Sequence, residues 1–332
     1  MSDVYAAMPK VELHVHLEGA QLPETVWEMA KRNGVALPAE SLEAWKRWYE
    51  FRDFAHFIEV YLAASRAMVG AADFRDMTVA FHDYQASQNV VYSETFLSAS
   101  LFVERIPWQD LFDALRDGLA EGRERHGVEV RFIPDIARNF PETKERVLEH
   151  TLAGQRAEVY VGLGLGGLEA GYPPELFRAE FDEARANGLR VVAHAGEGAG
   201  PESVRGALES LHAERIGHGI RCLEDPSLVA ELRERQVPIE VCPISNYRTG
   251  VVPAGAPHPV LRMLEEGLNV TVNSDDPPMF ATSLVDEYRW LTGQGVPFEQ
   301  LWACNLAAVE ASFLDAAERA SLATRVESFE PG

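Results

Sequence analysis

The stretch Lys10-Val11-Glu12-Leu13-His14-Val15-His16 lies near the start of the chain and decides how the rest is interpreted. Its alternating apolar residues predict a β-strand, in which successive side chains point to opposite faces. His14 and His16 therefore share one face of the strand, and the valines and the leucine share the other. Two imidazoles side by side make half of a metal site, so later strands have to supply the remaining ligands.

The composition is that of an ordinary globular protein. The chain has 332 residues, of which 46% are hydrophobic and 25% charged, a length that fits one α/β barrel. The net charge of −22 argues against nucleic acid or an anionic membrane surface as a partner, because both require a basic face. The three cysteines, Cys222, Cys242 and Cys304, form neither a disulfide framework nor a Cys-type zinc site. With no signal-peptide pattern and no long apolar run, we expect a cytoplasmic protein, and the sequence leaves a homo-oligomer open.

Short β-branched runs alternate with helical patterns along the chain, and we interpret 1–332 as one domain. Strands are predicted at Val11–His16, Val90–Phe96, Glu129–Pro134, Val159–Leu165, Leu189–His194, Arg215–His218, Pro238–Cys242 and Asn269–Asn273. Helices are predicted at Asp110–Arg125, Pro141–Arg156, Pro174–Asn187, Pro226–Arg235, Val260–Glu266 and Asp315–Glu327. Eight strands separated by helices predict a parallel TIM (β/α)8 barrel. A doubly wound sheet would need a Gly-x-Gly-x-x-Gly turn after the first strand, and Leu17-Glu18-Gly19-Ala20-Gln21 is not one.

A long insertion, about residues 23–87, separates the first two predicted strands and is expected to form several helices. Its middle is rich in aromatic residues: Trp45, Trp48, Tyr49, Phe51, Phe54, Phe57 and Tyr61. We interpret most of them as helix-packing residues. Because βα loops surround the catalytic mouth of a barrel, the insertion is also the candidate lid over a pocket.

Polar motifs follow four of the later strands. They are Gly166-Gly167-Leu168-Glu169, His194-Ala195-Gly196-Glu197, Gly217-His218-Gly219 and Asn273-Ser274-Asp275-Asp276. The carboxyl ends of barrel strands face one cavity, so these motifs can converge. His14, His16, His194 and Asp275 then form a ligand set suited to one Zn²⁺ per chain, with room for a water whose pKa the metal lowers toward about 7.

Three further residues are predicted to act beside that metal. Glu197 lies three residues after His194 and can reach a substrate without binding the metal, as a general acid or base requires. His218 can polarise or orient the attacking water, and Asp276 can face the substrate. Each motif alone is weak evidence, since such turns are common; their order and their placement at strand ends make the set specific.

Other residues near the strand ends are given lesser roles. Asp135 and Asn246 follow predicted strands, where they could line the mouth of the barrel, although we favour a structural role for both. None of the four lysines follows the fourth strand, where binuclear barrel hydrolases carry a bridging carboxylated lysine. The sequence therefore predicts one metal rather than two.

These motifs, together with Cys242-Pro243-Ile244-Ser245-Asn246, resemble the adenosine deaminase family of metal-dependent hydrolases over the length of the chain. The family forms a TIM barrel and hydrolyses the 6-amino group of a purine, releasing ammonia. The resemblance implies the same four zinc ligands, with Glu197 protonating ring N1 and Asp276 hydrogen-bonding N7. It also implies that His218 positions and helps deprotonate the attacking water, and that the backbone N–H of Gly167 lies near N3.

Two departures from the family pattern concern the substrate. Glu18 stands where typical adenosine deaminases carry an Asp that contacts the ribose 5′-hydroxyl, whereas adenine deaminases carry Glu there. The turn Gly164-Leu165-Gly166-Gly167-Leu168-Glu169 has neither the acidic residues of the adenosine deaminases nor the Asp-Ser-Ser-Glu of the adenine deaminases. We expect Glu18 and Gly167 to bind the substrate.

Residues 49–58 and Ser93-Glu94-Thr95-Phe96 resemble family members that act on 6-amino-6-deoxyfutalosine, an adenosine-like intermediate of menaquinone synthesis with a carboxylated aromatic 5′ group. Phe51 and Phe54 would suit such a group by stacking. Arg52, Arg66 or Arg105 could pair with its carboxylate; the alternative is that these arginines are solvated surface residues.

The sequence thus predicts a zinc-dependent deaminase of a 6-aminopurine nucleoside. A 5′-modified adenosine such as aminodeoxyfutalosine is the first expectation, adenosine the second and free adenine the third. A non-catalytic, metal-stabilised barrel is a different class of protein, which the presence of Glu197 and His218 disfavours. A metal-dependent amidase or lactonase on the same barrel is a further alternative.

Overall fold

The computed structural model describes residues 3–52 and 54–330, and eight parallel strands follow one another in it around a barrel in chain order. They are β1 (Lys10–His16), β2 (Val90–Leu97), β3 (Glu129–Ala137), β4 (Gly162–Gly166), β5 (Arg190–Ala195), β6 (Arg215–His218), β7 (Ile239–Val241) and β8 (Val270–Val272). The predicted TIM-like barrel is therefore confirmed.

Helices cover the outside of the strands. Helix α1 (Val4–Ala7) precedes β1. The insertion between β1 and β2 forms α2 (Pro23–Asn33), α3 (Leu42–Tyr49), α4 (Phe54–Arg66) and α5 (Ala71–Ser87). The next five are α6 (Trp108–His126), α7 (Lys144–Arg156), α8 (Arg178–Ala186), α9 (Pro201–Ser210) and α10 (Pro226–Arg235). The last six are α11 (Pro243–Arg248), α12 (Pro259–Glu265), α13 (Pro277–Phe280), α14 (Leu284–Gly293), α15 (Phe298–Ala311) and α16 (Ala316–Glu327).

The start of β4 differs from the prediction, because the strand is predicted from Val159 but begins at Gly162. Val159 and Tyr160 are buried β-formers that precede the ladder, and Tyr160 makes only an isolated bridge to Phe132. Their side chains pack into the core, which produces an apolar run like that of a strand. Burial and pairing are separate properties, and sequence periodicity reports only the first.

The barrel closes between β8 and β1 through side chains as well as backbone. The Asn273 side chain accepts the N–H groups of Leu13 at 2.8 Å and His14 at 3.1 Å. Beyond it, the Asp275 N–H donates to His14 O at 3.1 Å and the His16 N–H donates to Asp275 O at 3.0 Å, which forms an isolated bridge between Val15 and Asp275. Closure therefore ties the strand that carries two histidines directly to the segment that carries Asp275.

The helices between β1 and β2 have a core of their own. Trp45 and Tyr49 are buried there, with Trp45 Nε1 donating to Pro23 O and Tyr49 Oη donating to Gln21 O. This agrees with the helix-packing role expected for most aromatic residues of the insertion. Within residues 3–52 and 54–330, no helix is long and apolar enough to cross a membrane.

Candidate functional site

Four predicted ligands meet at the carboxyl end of the barrel. His16 Nε2 lies 3.2 Å from His194 Nε2 and 3.4 Å from Asp275 Oδ1, and His14 Nε2 lies 3.8 Å from that same oxygen. His14 Nε2 is buried and has no hydrogen-bond partner among the described residues. Three imidazole nitrogens and a carboxylate oxygen that converge in this way fit a Zn²⁺ ion.

Groups behind the cluster determine which ring nitrogens face it. His14 Nδ1 lies 2.9 Å from Glu240 Oε2, and His194 Nδ1 lies 3.0 Å from the carbonyl oxygen of Leu165. Both acceptors lack a proton to give when Glu240 is ionised, so each ring donates its Nδ1–H and leaves the Nε2 lone pair free. This is the outer-shell arrangement that orients metal-binding histidines.

A buried ion network lies beneath the histidines. Arg215 Nε donates to Glu240 Oε1 at 2.5 Å, and Arg215 Nη1 lies 2.6 Å from Glu94 Oε2. The three side chains come from β6, β7 and β2 and are at most 1% exposed. The sequence analysis predicts no site role for Glu94 or Glu240. A charged residue inside an apolar strand could have indicated a buried ion pair, because a buried charge requires a partner.

Burial keeps the imidazoles of the cluster neutral. The pKa values of His14 and His194 lie well below the ordinary value because both rings are desolvated and face other imidazoles. Desolvation, together with His218, also lowers the pKa of His16 to about 3. Neutral imidazole is the form that binds a metal ion.

Glu197 lies on the turn after β5 and faces His218, with its Oε2 3.7 Å from His218 Nε2. Glu169 holds that turn, since its carboxylate accepts the backbone N–H groups of residues 196–199 at 2.6–3.0 Å. Burial first, and the charge of Glu169 second, raise the pKa of Glu197 to about 8. At neutral pH Glu197 thus holds a proton that a general acid can donate.

Gly217, which precedes His218 on β6, leaves room for the His14 ring in the cluster. A Cβ atom at Gly217 would lie 2.7 Å from His14 Cε1, closer than a side chain can tolerate. His218 and Asp275 have left-handed backbones, with φ of 60° and 66°. Such conformations are unfavourable outside glycine and occur often at functional sites. Burial lowers the pKa of His218 as well, so its ring is neutral.

A cavity of about 950 Å³, measured out to its open mouth, lies above the cluster. Its inner end is lined by His16, Gly167, His194, Glu197, His218, Asp275 and Asp276. Its outer wall is mainly apolar, with Phe57, Ile58, Leu62, Leu101, Phe140, Leu168 and Phe280. Ile58 and Leu168 are 41% and 46% exposed at the mouth. The space has the apolar wall and the few convergent polar groups of a small-molecule site.

Asp135 lines the cavity, which is the less favoured of the two roles that the sequence left open for it. It is 3% exposed, its Oδ1 has no hydrogen-bond partner among the described residues, and it lies beside His16 and His194. A Cβ atom at Gly164 would lie 1.7 Å from Asp135 Oδ1. Gly164 on β4 therefore makes room for the carboxyl group of Asp135 on β3. No single segment of sequence reveals this pairing.

The remaining predicted site residues lie at different depths. Gly167 and Asp276 line the cavity, and Asp276 Oδ1 is buried without a hydrogen-bond partner among the described residues. Glu18 is 1% exposed, accepts the Ser98 N–H at 2.9 Å, and burial raises its pKa to about 7. Phe51 packs against two aromatic rings of the outer wall, those of Phe57 and Phe280.

The side chain of Phe54 lies outside the described part of the chain. No arginine or lysine is among the described residues that line the cavity. Arg66 borders a different hollow with Trp48, and Arg105 donates to the Leu101 carbonyl group at the surface. The titratable groups of the cavity wall are acidic residues, histidines and Tyr61.

A barrel whose mouth holds a buried His/Asp cluster and a neighbouring protonated carboxyl group defines a metal-dependent hydrolase. The family model described as adenosine deaminase matches residues 9–329. The chain therefore belongs to the adenosine deaminase family and is a metal-dependent deaminase of aminopurines.

Curated relatives of two activities resemble the chain. The adenine deaminase of Bordetella avium (strain 197N) is 40% identical over 293 residues, which is 88% of this chain and 92% of that protein. The aminodeoxyfutalosine deaminase of Streptomyces avermitilis is 39% identical over 329 residues, which is 98% of this chain and 92% of that protein. Further adenine deaminases are 33–38% identical, so the names of the relatives favour the adenine alternative over the first expectation.

Solved structures agree with the fold and the metal. The adenine deaminase from Arthrobacter aurescens has a TM-score of 0.90 at 35% identity, covering 96% of this chain and 98% of that one. An amidohydrolase from Burkhoderia ambifaria with bound Zn has a TM-score of 0.90 at 27% identity, covering 98% of this chain and 91% of that one.

Proposed function

We propose that this chain is a zinc-dependent deaminase that hydrolyses the 6-amino group of an uncharged 6-aminopurine, with adenine as the first candidate substrate. The observation that carries the proposal is the placement of Glu197 and His218, 3.7 Å apart, beside a cluster of three histidines and an aspartate. In this proposal His14, His16, His194 and Asp275 hold one zinc ion, which supplies an activated water at neutral pH.

The residues of the chain then do three things for the reaction. Glu197, whose pKa is raised to about 8, brings a proton to ring N1 as the oxygen adds at C6. The charge that develops on the ring is thereby neutralised where the transition state needs it. Asp276 and the backbone N–H of Gly167 orient the purine through N7 and N3, and the apolar outer wall keeps bulk water away from the ring.

The lack of basic side chains in the cavity supports an uncharged substrate. Asp135, Asp276 and Glu197 line it, whereas arginine and lysine are absent from its described wall. A phosphate or carboxylate would enter this space without a cationic partner, which is costly. This favours adenine or adenosine over a nucleotide, and most of the relatives described above are named adenine deaminases.

A 5′-substituted adenosine such as aminodeoxyfutalosine is the second candidate. Two observations favour it: the cavity extends to an apolar mouth at Ile58 and Leu168, and the relative from Streptomyces avermitilis matches 98% of the chain. Its carboxylate would then have to project beyond that mouth into solvent.

Steady-state turnover of adenine, adenosine and aminodeoxyfutalosine by the zinc-loaded protein tests these assignments. Absorbance at the adenine band and release of ammonia report deamination, and Glu197→Gln is the matched inactive control. We expect kcat/KM for adenine to exceed that for each nucleoside by at least tenfold, about 1.4 kcal/mol of discrimination. A tenfold preference for aminodeoxyfutalosine would establish the second candidate instead. No turnover of any of the three by protein with one zinc per chain would refute the deaminase proposal.

A further inference from the structure

A chain of hydrogen bonds runs from the backbone of α12 to the back of His218. The Val260 N–H donates to His258 Nδ1 at 3.0 Å, and His258 Nε2 lies 3.3 Å from Asn246 Oδ1. Asn246 Nδ2 lies 3.1 Å from His218 Nδ1. His258, Asn246 and His218 are at most 2% exposed, so these contacts are not exchanged for contacts with solvent.

The direction of every bond in this chain follows from its first member. A backbone N–H can only donate, so His258 Nδ1 is an acceptor and carries no proton. Burial lowers the pKa of His258 to about 3, and a neutral imidazole has its single proton on the other nitrogen. His258 Nε2–H therefore donates to Asn246, which fixes the carboxamide with its oxygen toward His258.

Asn246 then has only its NH₂ group to offer His218. Because that group is a donor, His218 Nδ1 must be the acceptor and carries no proton; since an imidazole ring keeps at least one proton, that of His218 lies on Nε2. His218 Nε2 faces the cavity, 3.7 Å from Glu197 Oε2 and 3.9 Å from Asp275 Oδ2.

We infer that Asn246 and His258 are positioning residues that fix the tautomer of His218, so that His218 enters the pocket as a hydrogen-bond donor rather than as a proton acceptor. For the deamination proposed above, neutral His218 orients and polarises the oxygen nucleophile through Nε2–H. His218 cannot act as the base, because Nε2 is already protonated and Nδ1 is engaged by Asn246. The metal that the four ligands would hold would lower the pKa of a bound water toward about 7, so that the proton of this water would leave to solvent before the oxygen adds to the ring. This differs from the deprotonating role that the family resemblance implies for His218.

The tautomer can be observed without turnover. In protein labelled with ¹⁵N-histidine, long-range ¹H–¹⁵N correlation spectra distinguish a protonated Nδ1 from a protonated Nε2, and the His218 signals are assigned by their loss in His218→Gln. For the zinc-loaded parent between pH 7 and 8 we expect Nε2 to be protonated and Nδ1 unprotonated. A parent with the proton on Nδ1, or on both nitrogens, would overturn the inference whether or not the protein deaminates a purine.

Two substitutions test whether Asn246 connects His258 to the tautomer of His218, a connection that we call the relay. Asn246→Asp keeps the shape but presents only acceptors, so the proton should move to His218 Nδ1, and kcat for adenine should fall at least tenfold with KM within threefold. Asn246→Ala removes the NH₂ donor to His218 Nδ1 and should give a mixture of both His218 tautomers. This variant replaces Asn246→Asp as the test if the aspartate variant does not fold. His150→Phe is the control, since His150 is a buried histidine bonded to Tyr160 outside the site. A His218 spectrum that is unchanged in a folded Asn246 variant, or altered equally in the control, would refute the relay.

Discussion

Glu169 offers a quantitative test of how the turn that carries Glu197 is held. Its two oxygens accept four backbone N–H groups: Gly196 on Oε1 at 2.6 Å, and the next three residues on Oε2 at 2.7–3.0 Å. Glu169 is 7% exposed. Because no helix or strand pairs these N–H groups, the carboxylate replaces a whole turn of secondary structure.

The expected cost depends on how many donors lose their acceptor. In Glu169→Gln the amide oxygen can still accept the three N–H groups that Oε2 accepts. The NH₂ group then faces the buried Gly196 N–H, so that two donors meet and the Gly196 N–H has no acceptor. One unsatisfied buried donor costs about 1–3 kcal/mol. In Glu169→Ala all four lose the acceptor. Gly198 is exposed, and its N–H can donate to water instead. The other three donors are buried or half-buried, so at about 1–3 kcal/mol each we expect a total cost of about 3–9 kcal/mol.

Urea unfolding of the zinc-loaded protein, followed by circular dichroism, measures these free energies of unfolding. Glu142→Gln is the control, because Glu142 is exposed and an exposed substitution should change stability by less than about 0.5 kcal/mol. We also expect kcat to fall more than tenfold in both Glu169 variants, since Glu197 is displaced, with zinc content unchanged. The reasoning is refuted if both variants unfold within about 0.5 kcal/mol of the parent, or if Ala costs no more than Gln.

Three other substitutions test separate parts of the site. Glu197→Gln should retain one zinc and lose about 10²–10⁴-fold in kcat. Because burial raises the pKa of Glu197 to about 8 in the folded protein, this carboxyl group stabilises the folded state most below the pKa of the unfolded chain and loses that contribution as pH rises through 8. The glutamine variant should therefore gain stability relative to the parent between pH 6.5 and 9, and a constant difference in the free energy of unfolding would contradict the assignment. Glu240→Gln should weaken zinc binding by about 10–100-fold in chelator competition, because His14 Nδ1 loses its carboxylate, and parent affinity would exclude that role. Gly164→Ala should destabilise the protein because its Cβ would lie 1.7 Å from Asp135 Oδ1, and the double variant with Asp135→Gly should recover most of the loss; additive losses in thermal unfolding would show that the collision is not the cause.

The barrel could be predicted from local sequence because each of its elements has a local cause. Alternating apolar residues and prolines at helix starts mark individual strands and helices, and the parallel order follows from their alternation. The strand Lys10–His16 places both histidines on one face for the same reason, since side-chain direction in a strand depends only on residue parity. The boundaries of β4 could not be predicted, because buried β-formers precede its ladder.

By itself the sequence determined the fold class and the family, and it named the candidate ligands that meet at the mouth of the barrel, because strand ends and short motifs carry that information locally. Only the tertiary structure decided the relations between segments: that Glu169 caps the turn of Glu197, that Asp135 occupies the space of a missing side chain at Gly164, and that hydrogen bonds connect His258 through Asn246 to His218. These pairs are brought together by barrel closure and crossover helices. A hydrogen bond has a partner and a direction only once both ends are in place, so no reading of one segment could supply them.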